Sequence, residues 1–300
     1  MCASCGMEKF FYSNRFMKKF CLFSAALLAL AACNKEEAIQ ISSPADGEIV
    51  LSLGGEMFNA TVETKTSALS DVPASLYLQR TTGSGSSETK KEGSASKTVS
   101  EKKIATGWYQ TATPTAYNYY LSNNSITFAA GASTISASNT TDVIAGVTSG
   151  NNTVTPSVTL EHVFARTGTL TAKAPSGYTI SGVIWEIQSN SGAGTSGTYN
   201  MAAKTWSGTT ALAKQTITGT SDLYLVPGSY KVSLSYTLTK GEWTKSTTKS
   251  ADVTLTAGKI NNLKIGTDGT VPLIDGGAKG ISITVSLNPW GSTDITVPLT

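Results

Sequence analysis

The chain has 300 residues, 40% of them hydrophobic and 14% charged, with 37 serines, 44 threonines and 28 glycines. That apolar share supports a packed core, while a charge content well under the usual ~25% argues against coiled coils and solvated helical bundles. Threonine-rich, glycine-punctuated sequence suits β-sheet surfaces, and these numbers do not describe a cytosolic enzyme.

Residues 17–33 carry an export signal. Lys18 and Lys19 precede an apolar run, residues 20–32, that ends in small side chains, and Met17 is read as the true start. At 13 residues the run is shorter than the ~20 needed to cross a bilayer. The sequence Leu30-Ala31-Ala32-Cys33 resembles a bacterial lipobox, which implies cleavage before Cys33 and acylation of its thiol. Cys2 and Cys5 form a C-x-x-C pair, but two ligands do not make a metal site and the pair falls in the presequence, residues 1–32. Loss of Lys9, Arg15, Lys18, Lys19 and Glu8 with that segment takes the formal charge from +3 to zero. A basic surface for nucleic acid is therefore not supported. Only Cys33 remains, so no disulfide holds the exported chain. Asn34-Lys35-Glu36-Glu37 resembles the acidic signal that sends some Gram-negative lipoproteins to the outer face of the outer membrane, and residues 33–46 read as a lipidated polar tether.

From residue 47 onward the pattern is β. Tyr230, Val232, Leu234, Tyr236 and Leu238 alternate with polar residues, between turn signals at Pro227-Gly228 and Lys240-Gly241. Residues 281–287 alternate in the same way and stop at Asn288-Pro289. Shorter strands are expected at 49–53, 76–78, 117–121, 125–128, 158–164, 167–172, 179–187, 222–226 and 252–255. No window has a sustained helical period. The fold class expected is all-β, built from sandwiches. Residues 81–100 read as a long polar surface loop. Residues 188–197 are the preferred junction between two sandwiches, 47–188 and 198–300, with 149–156 as the rival.

The chemistry is sparse. His162 shares a strand face with Val158, Leu160 and Phe164, and reads as a structural histidine with no carboxylate nearby except Glu161 on the opposite face. No triad, carboxylate pair, Ca²⁺ loop or metal cluster is nominated, so no catalysis and no cofactor is expected. Residues 192–197 spell G-x-G-x-x-G without a helix to follow and read as linker. Trp108, Trp185, Trp206, Trp243 and Trp290 would form a sugar platform only if several were exposed together, and core is the default for each.

In order along the chain, the lipobox at Cys33, the segment Val62-Glu63-Thr64-Lys65-Thr66, the run Leu160-Glu161-His162-Val163-Phe164-Ala165-Arg166, Pro227-Gly228-Ser229-Tyr230 and the closing Val285-Ser286-Leu287-Asn288-Pro289-Trp290-Gly291 together resemble the fimbrillin family of type V pilins. The resemblance implies two tandem transthyretin-like β-sandwich domains and a pilus subunit exported as a surface lipoprotein. Its partners would be other pilus subunits, outer-membrane lipid through Cys33, and a host or bacterial surface ligand. It further implies that a trypsin-like protease removes the first strand and that a C-terminal strand of another subunit takes its place. Mapped here, cleavage falls at Lys65 and Thr66, where the family has arginine; Arg80 is the first arginine of the exported chain and ends an expected strand. The donor residues would be Ile281, Ile283, Val285, Leu287, Ile295, Val297 and Leu299, with Pro298 tolerable only at an edge. The competing reading is a surface glycan-binding lipoprotein.

Overall fold

The computed structural model describes residues 47–55, 73–110, 115–151, 156–219, 223–274 and 281–289, all within the compact unit Pro44–Thr300. Cys33, Lys65, Thr66, Trp290, Ile295, Val297 and Leu299 lie outside the described residues. The described residues are all-β, with one short 3-10 turn at Gly85–Ser87.

A first core sits between two sheets. One has β1 (Glu48–Gly54) between β4 (Lys103–Tyr109) and β9 (Ser157–Thr159). The other runs in the order β10 (Glu161–His162), β8 (Ile144–Asn151), β5 (Ala116–Ser122), β2 (Ser75–Thr82), β3 (Thr89–Thr98). Ile49, Leu51 and Leu53 from β1 meet Leu76, Leu78, Tyr119 and Leu121 from the facing sheet. The expected strand 158–164 is two strands, because the chain crosses from one sheet to the other between Thr159 and Glu161.

A second core lies between another pair of sheets. These are β16 (Tyr224–Leu225), β11 (Ala165–Thr171), β19 (Lys259–Ile265), β20 (Ile283–Pro289) and, facing them, β15 (Gln215–Ile217), β12 (Thr179–Ser189), β17 (Gly228–Lys240), β18 (Trp243–Leu255). In β17 the period-two pattern behaves as read: Tyr230, Val232, Leu234, Tyr236 and Leu238 are buried against this core. The outward row pairs with β18 through hydroxyls, Ser235 with Thr248 and Thr237 with Ser246, each at 2.8 Å.

A third cluster forms where β14 (Thr205–Thr210), β13 (Ser196–Asn200), β7 (Thr134–Ser138) and β6 (Ile126–Thr127) pack on the far face of the sheet containing β5. This explains why Tyr119 and Tyr120, neighbours on β5, are both buried: Tyr119 points into the first core and Tyr120 into the third cluster. Residues 188–197 do not run freely through solvent. Ala193 is buried, and the Tyr230 hydroxyl takes the Gly194 N–H at 3.0 Å while donating to the Val226 carbonyl at 2.6 Å. β13 then pairs with β7 from the earlier half of the chain.

Residues 81–100, expected as a loop, are the end of β2 and the whole of β3. The composition misleads because β3 is the outermost strand of its sheet among the described residues and is polar on both faces. Its anchors are charged. Glu88 is buried and accepts from Thr81 Oγ1, from Asn118 Nδ2 at 3.1 Å, from the Tyr120 hydroxyl at 2.8 Å and from the Gly131 amide at 2.7 Å.

Candidate assembly site

β1 is the first strand among the described residues. β1 pairs antiparallel with β4 and parallel with β9, so it is central in its sheet, and Ile49, Leu51 and Leu53 close the first core. A bulge in β4 breaks the register between Glu48 and Val50. Side chains cover the backbone groups it frees: Thr106 Oγ1 donates to the Ile49 carbonyl at 2.6 Å, and the Gly107 N–H donates to Glu48 Oε1 at 2.6 Å. At the other end the Leu160 N–H donates to the Gly54 carbonyl at 2.8 Å. Gly55 has φ +131, and a Cβ there would run into the Leu160 carbonyl, so only glycine lets the chain leave the sheet at this point.

Among the described residues, β20 is the outermost strand of its sheet. It pairs antiparallel with β19, from Ile283 opposite Ile265 to Pro289 opposite Lys259. Of the residues named as a donor set, Ile281, Ile283 and Val285 pack against the second core, while Leu287 is 44% exposed. Asn288, between Leu287 and the closing Pro289, is buried.

Arg80 lies inside β2, not at its end. Its guanidinium is forked onto Glu92 and sits 4.4 Å from the ring centroids of both Trp108 and Tyr117. His162 is buried, with Nδ1 2.7 Å from Asp142 Oδ2. Asp142 is the carboxylate that sequence reasoning missed, being 20 residues away, whereas Glu161 does face the other way and pairs with Lys204 at 2.6 Å. The acid beside His162 is thus Asp142 and not Glu161. Only the fold, through the pairing of β10 with β8, brings residues 142 and 162 together.

No family model and no curated protein matches the chain. Among solved structures it is similar to a candidate cell adhesion protein from Bacteroides uniformis (TM-score 0.47, 15% identity, 83% of this chain and 100% of that one). A candidate cell adhesion protein from Parabacteroides distasonis gives a TM-score of 0.41 at 10% identity, over 83% of this chain and 100% of its own. A fimbrial assembly protein from the same species gives 0.38 at 12% identity, over 81% and 100%.

Among the described residues no group of three or more His, Cys, Asp or Glu side chains is placed to hold a metal ion. Trp185 is buried, and Trp243, at the tip of the β17–β18 hairpin, meets Tyr178 edge-on at an interplanar angle of 81°.

Proposed function

We propose that this chain is a structural subunit of a surface fimbria, exported as a lipoprotein acylated at Cys33, displayed at the outer membrane and assembled by strand exchange, with a role in adhesion. The observation that carries the reading is the place of β1: an N-terminal strand, hydrogen-bonded on both sides, that closes a core and is joined to the rest of the fold by residues 56–72. A cut in that connection at Lys65-Thr66 frees β1 to leave. Its departure turns β4 and β9 into two facing edges over an apolar slot floored by Leu76, Leu78, Tyr119 and Leu121 and flanked by Ile104 of β4. An extended strand from another subunit satisfies the ladder groups and the slot together, which makes the joint both directional and strong. Each of Ile49, Leu51 and Leu53 that an incoming apolar side chain replaces is worth about 1.5–3 kcal/mol of burial.

The locked Arg80 favours Lys65 as the processing point, since a protease must draw the substrate backbone out of its sheet and Arg80 is held in one. The donor in this reading is the terminal run that begins with β20 and continues through Ile295, Val297 and Leu299. The division into two sandwiches, expected as 47–188 and 198–300, belongs to the same proposal with an earlier boundary, since the first core draws on residues 49–160 and the second, which includes Ala165, Trp185 and Ile187, on residues 165–285.

The test is the N-terminal sequence of protein sheared from the cell surface, compared with the cell-bound form. A start at or near Thr66 in a detergent-resistant ladder is expected. A protein that stays monomeric after β1 has been removed overturns the proposal.

A further inference from the structure

A cavity of about 660 Å³ opens beside β10 and β13, within the ~300–1,000 Å³ range of small-molecule sites. Its lining includes Trp206, Tyr199, His162, Glu161, Lys204 and Thr205. Three features make it a built site. Trp206 is wedged between Phe164 and Tyr199, with ring centroids 5.0 Å and 5.2 Å away, so its position is fixed. His162 in the wall is held by Asp142 at 2.7 Å. Lys204 takes a left-handed φ of +55, at the end of a turn in which Asn200 Oδ1 accepts the N–H groups of Ala202 and Ala203 at 3.1 Å and 2.9 Å. A lysine held in that conformation is costly, and strain of this kind persists where a side chain must be aimed.

The aim is at Glu161. Lys204 Nζ and Glu161 Oε2 stand 2.6 Å apart at the mouth, both side chains more than half exposed. A carboxylate that accepts and an ammonium that donates, side by side, match the O–H groups on adjacent carbons of a sugar ring. An aromatic wall behind them suits the ring's apolar C–H face. The pair is neutral as a unit, so a neutral polyol binds without breaking it, whereas a charged ligand competes with one partner. We infer that this cavity binds a neutral pyranose, such as the terminal residue of a surface glycan. The inference stands apart from strand exchange, because it concerns the intact chain with β1 in place.

The test titrates the intact chain with methyl β-galactoside, methyl β-glucoside, methyl α-mannoside and glucuronic acid, following tryptophan fluorescence and saturation-transfer NMR. Saturable binding of at least one neutral glycoside is expected. Glu161→Gln and Lys204→Met should each weaken it about tenfold, as loss of a hydrogen bond to a charged group does, and Trp206→Phe should remove the fluorescence response. Glu161 and Lys204 are exposed, so the first two variants keep the fold, and Lys214→Met, which breaks the remote pair with Glu186, should bind as the parent does. Because Lys259 also borders the cavity, glucuronic acid tests the charge assignment. Absence of saturable binding, binding unchanged in both Glu161→Gln and Lys204→Met, or preference for glucuronic acid over every neutral glycoside overturns the inference.

Discussion

The guanidinium of Arg80 meets the carboxylate of Glu92 through two parallel hydrogen bonds, Nε to Oε2 at 2.7 Å and Nη2 to Oε1 at 2.5 Å. The pair ties β3 to β2, and the rings of Trp108 and Tyr117 hold the guanidinium. A planar fork stacked on aromatic faces is a geometry that lysine cannot reproduce.

Arg80→Lys is therefore expected to cost about 1–3 kcal/mol in urea unfolding, and Glu92→Ala a similar amount. The same packing protects the Arg80 peptide bond. Limited trypsin digestion of the native protein, read by mass spectrometry, should give no fragment beginning at Thr81, and Glu92→Ala should make that bond more susceptible.

Glu88 supplies a pH dependence. Burial on its own favours the neutral carboxyl, but hydrogen bonds from Thr81, the Gly131 amide, Tyr120 and Asn118 outweigh it and hold the pKa below the ordinary 4.5. The folded value lies below the unfolded one, so the stabilisation is complete above about 4.5 and is lost as the pH falls through the folded value. Urea midpoints taken from neutral pH down to about 3 should fall more steeply for the parent than for Glu88→Gln. Parallel curves would show that Glu88 does not contribute in its ionised form.

Tyr230→Phe removes the hydroxyl that bridges Gly194 and Val226. Burial raises the pKa of this phenol, so the group is a neutral donor throughout the physiological range. The expected loss is about 1–2 kcal/mol, seen as a Tm lower by about 2–4 °C per kcal/mol in a chain of this size. Amide exchange at Gly194 should accelerate in the same variant.

Two leucines separate folding from assembly. Leu51→Ala, in the middle of β1, should cost about 2.7–5 kcal/mol, because it opens a cavity in the first core. Leu287→Asp, on the exposed side of β20, should change stability by no more than about 0.5 kcal/mol. If β20 belongs to the donor run, the aspartate variant should shorten the detergent-resistant ladder on gels while its calorimetric Tm stays put. A ladder of unchanged length would place the donor entirely after Pro289.

The sequence by itself determined the strand class and the inward faces of the clearest strands. Alternation is a local property, and in β17 the residues that read as apolar are the ones that face the second core. Segments buried on both sides, or exposed on both, lose that signal. This is why β5, with Tyr119 and Tyr120 serving different cores, and β3, with no core face at all, need their neighbours to be understood. Only the tertiary structure put β1 between β4 and β9, paired β20 with β19, brought Asp142 to His162 and set Lys204 against Glu161 across 43 residues. Such pairings depend on which strands become neighbours, and a two-residue side-chain period says which face a residue takes without saying what lies opposite it.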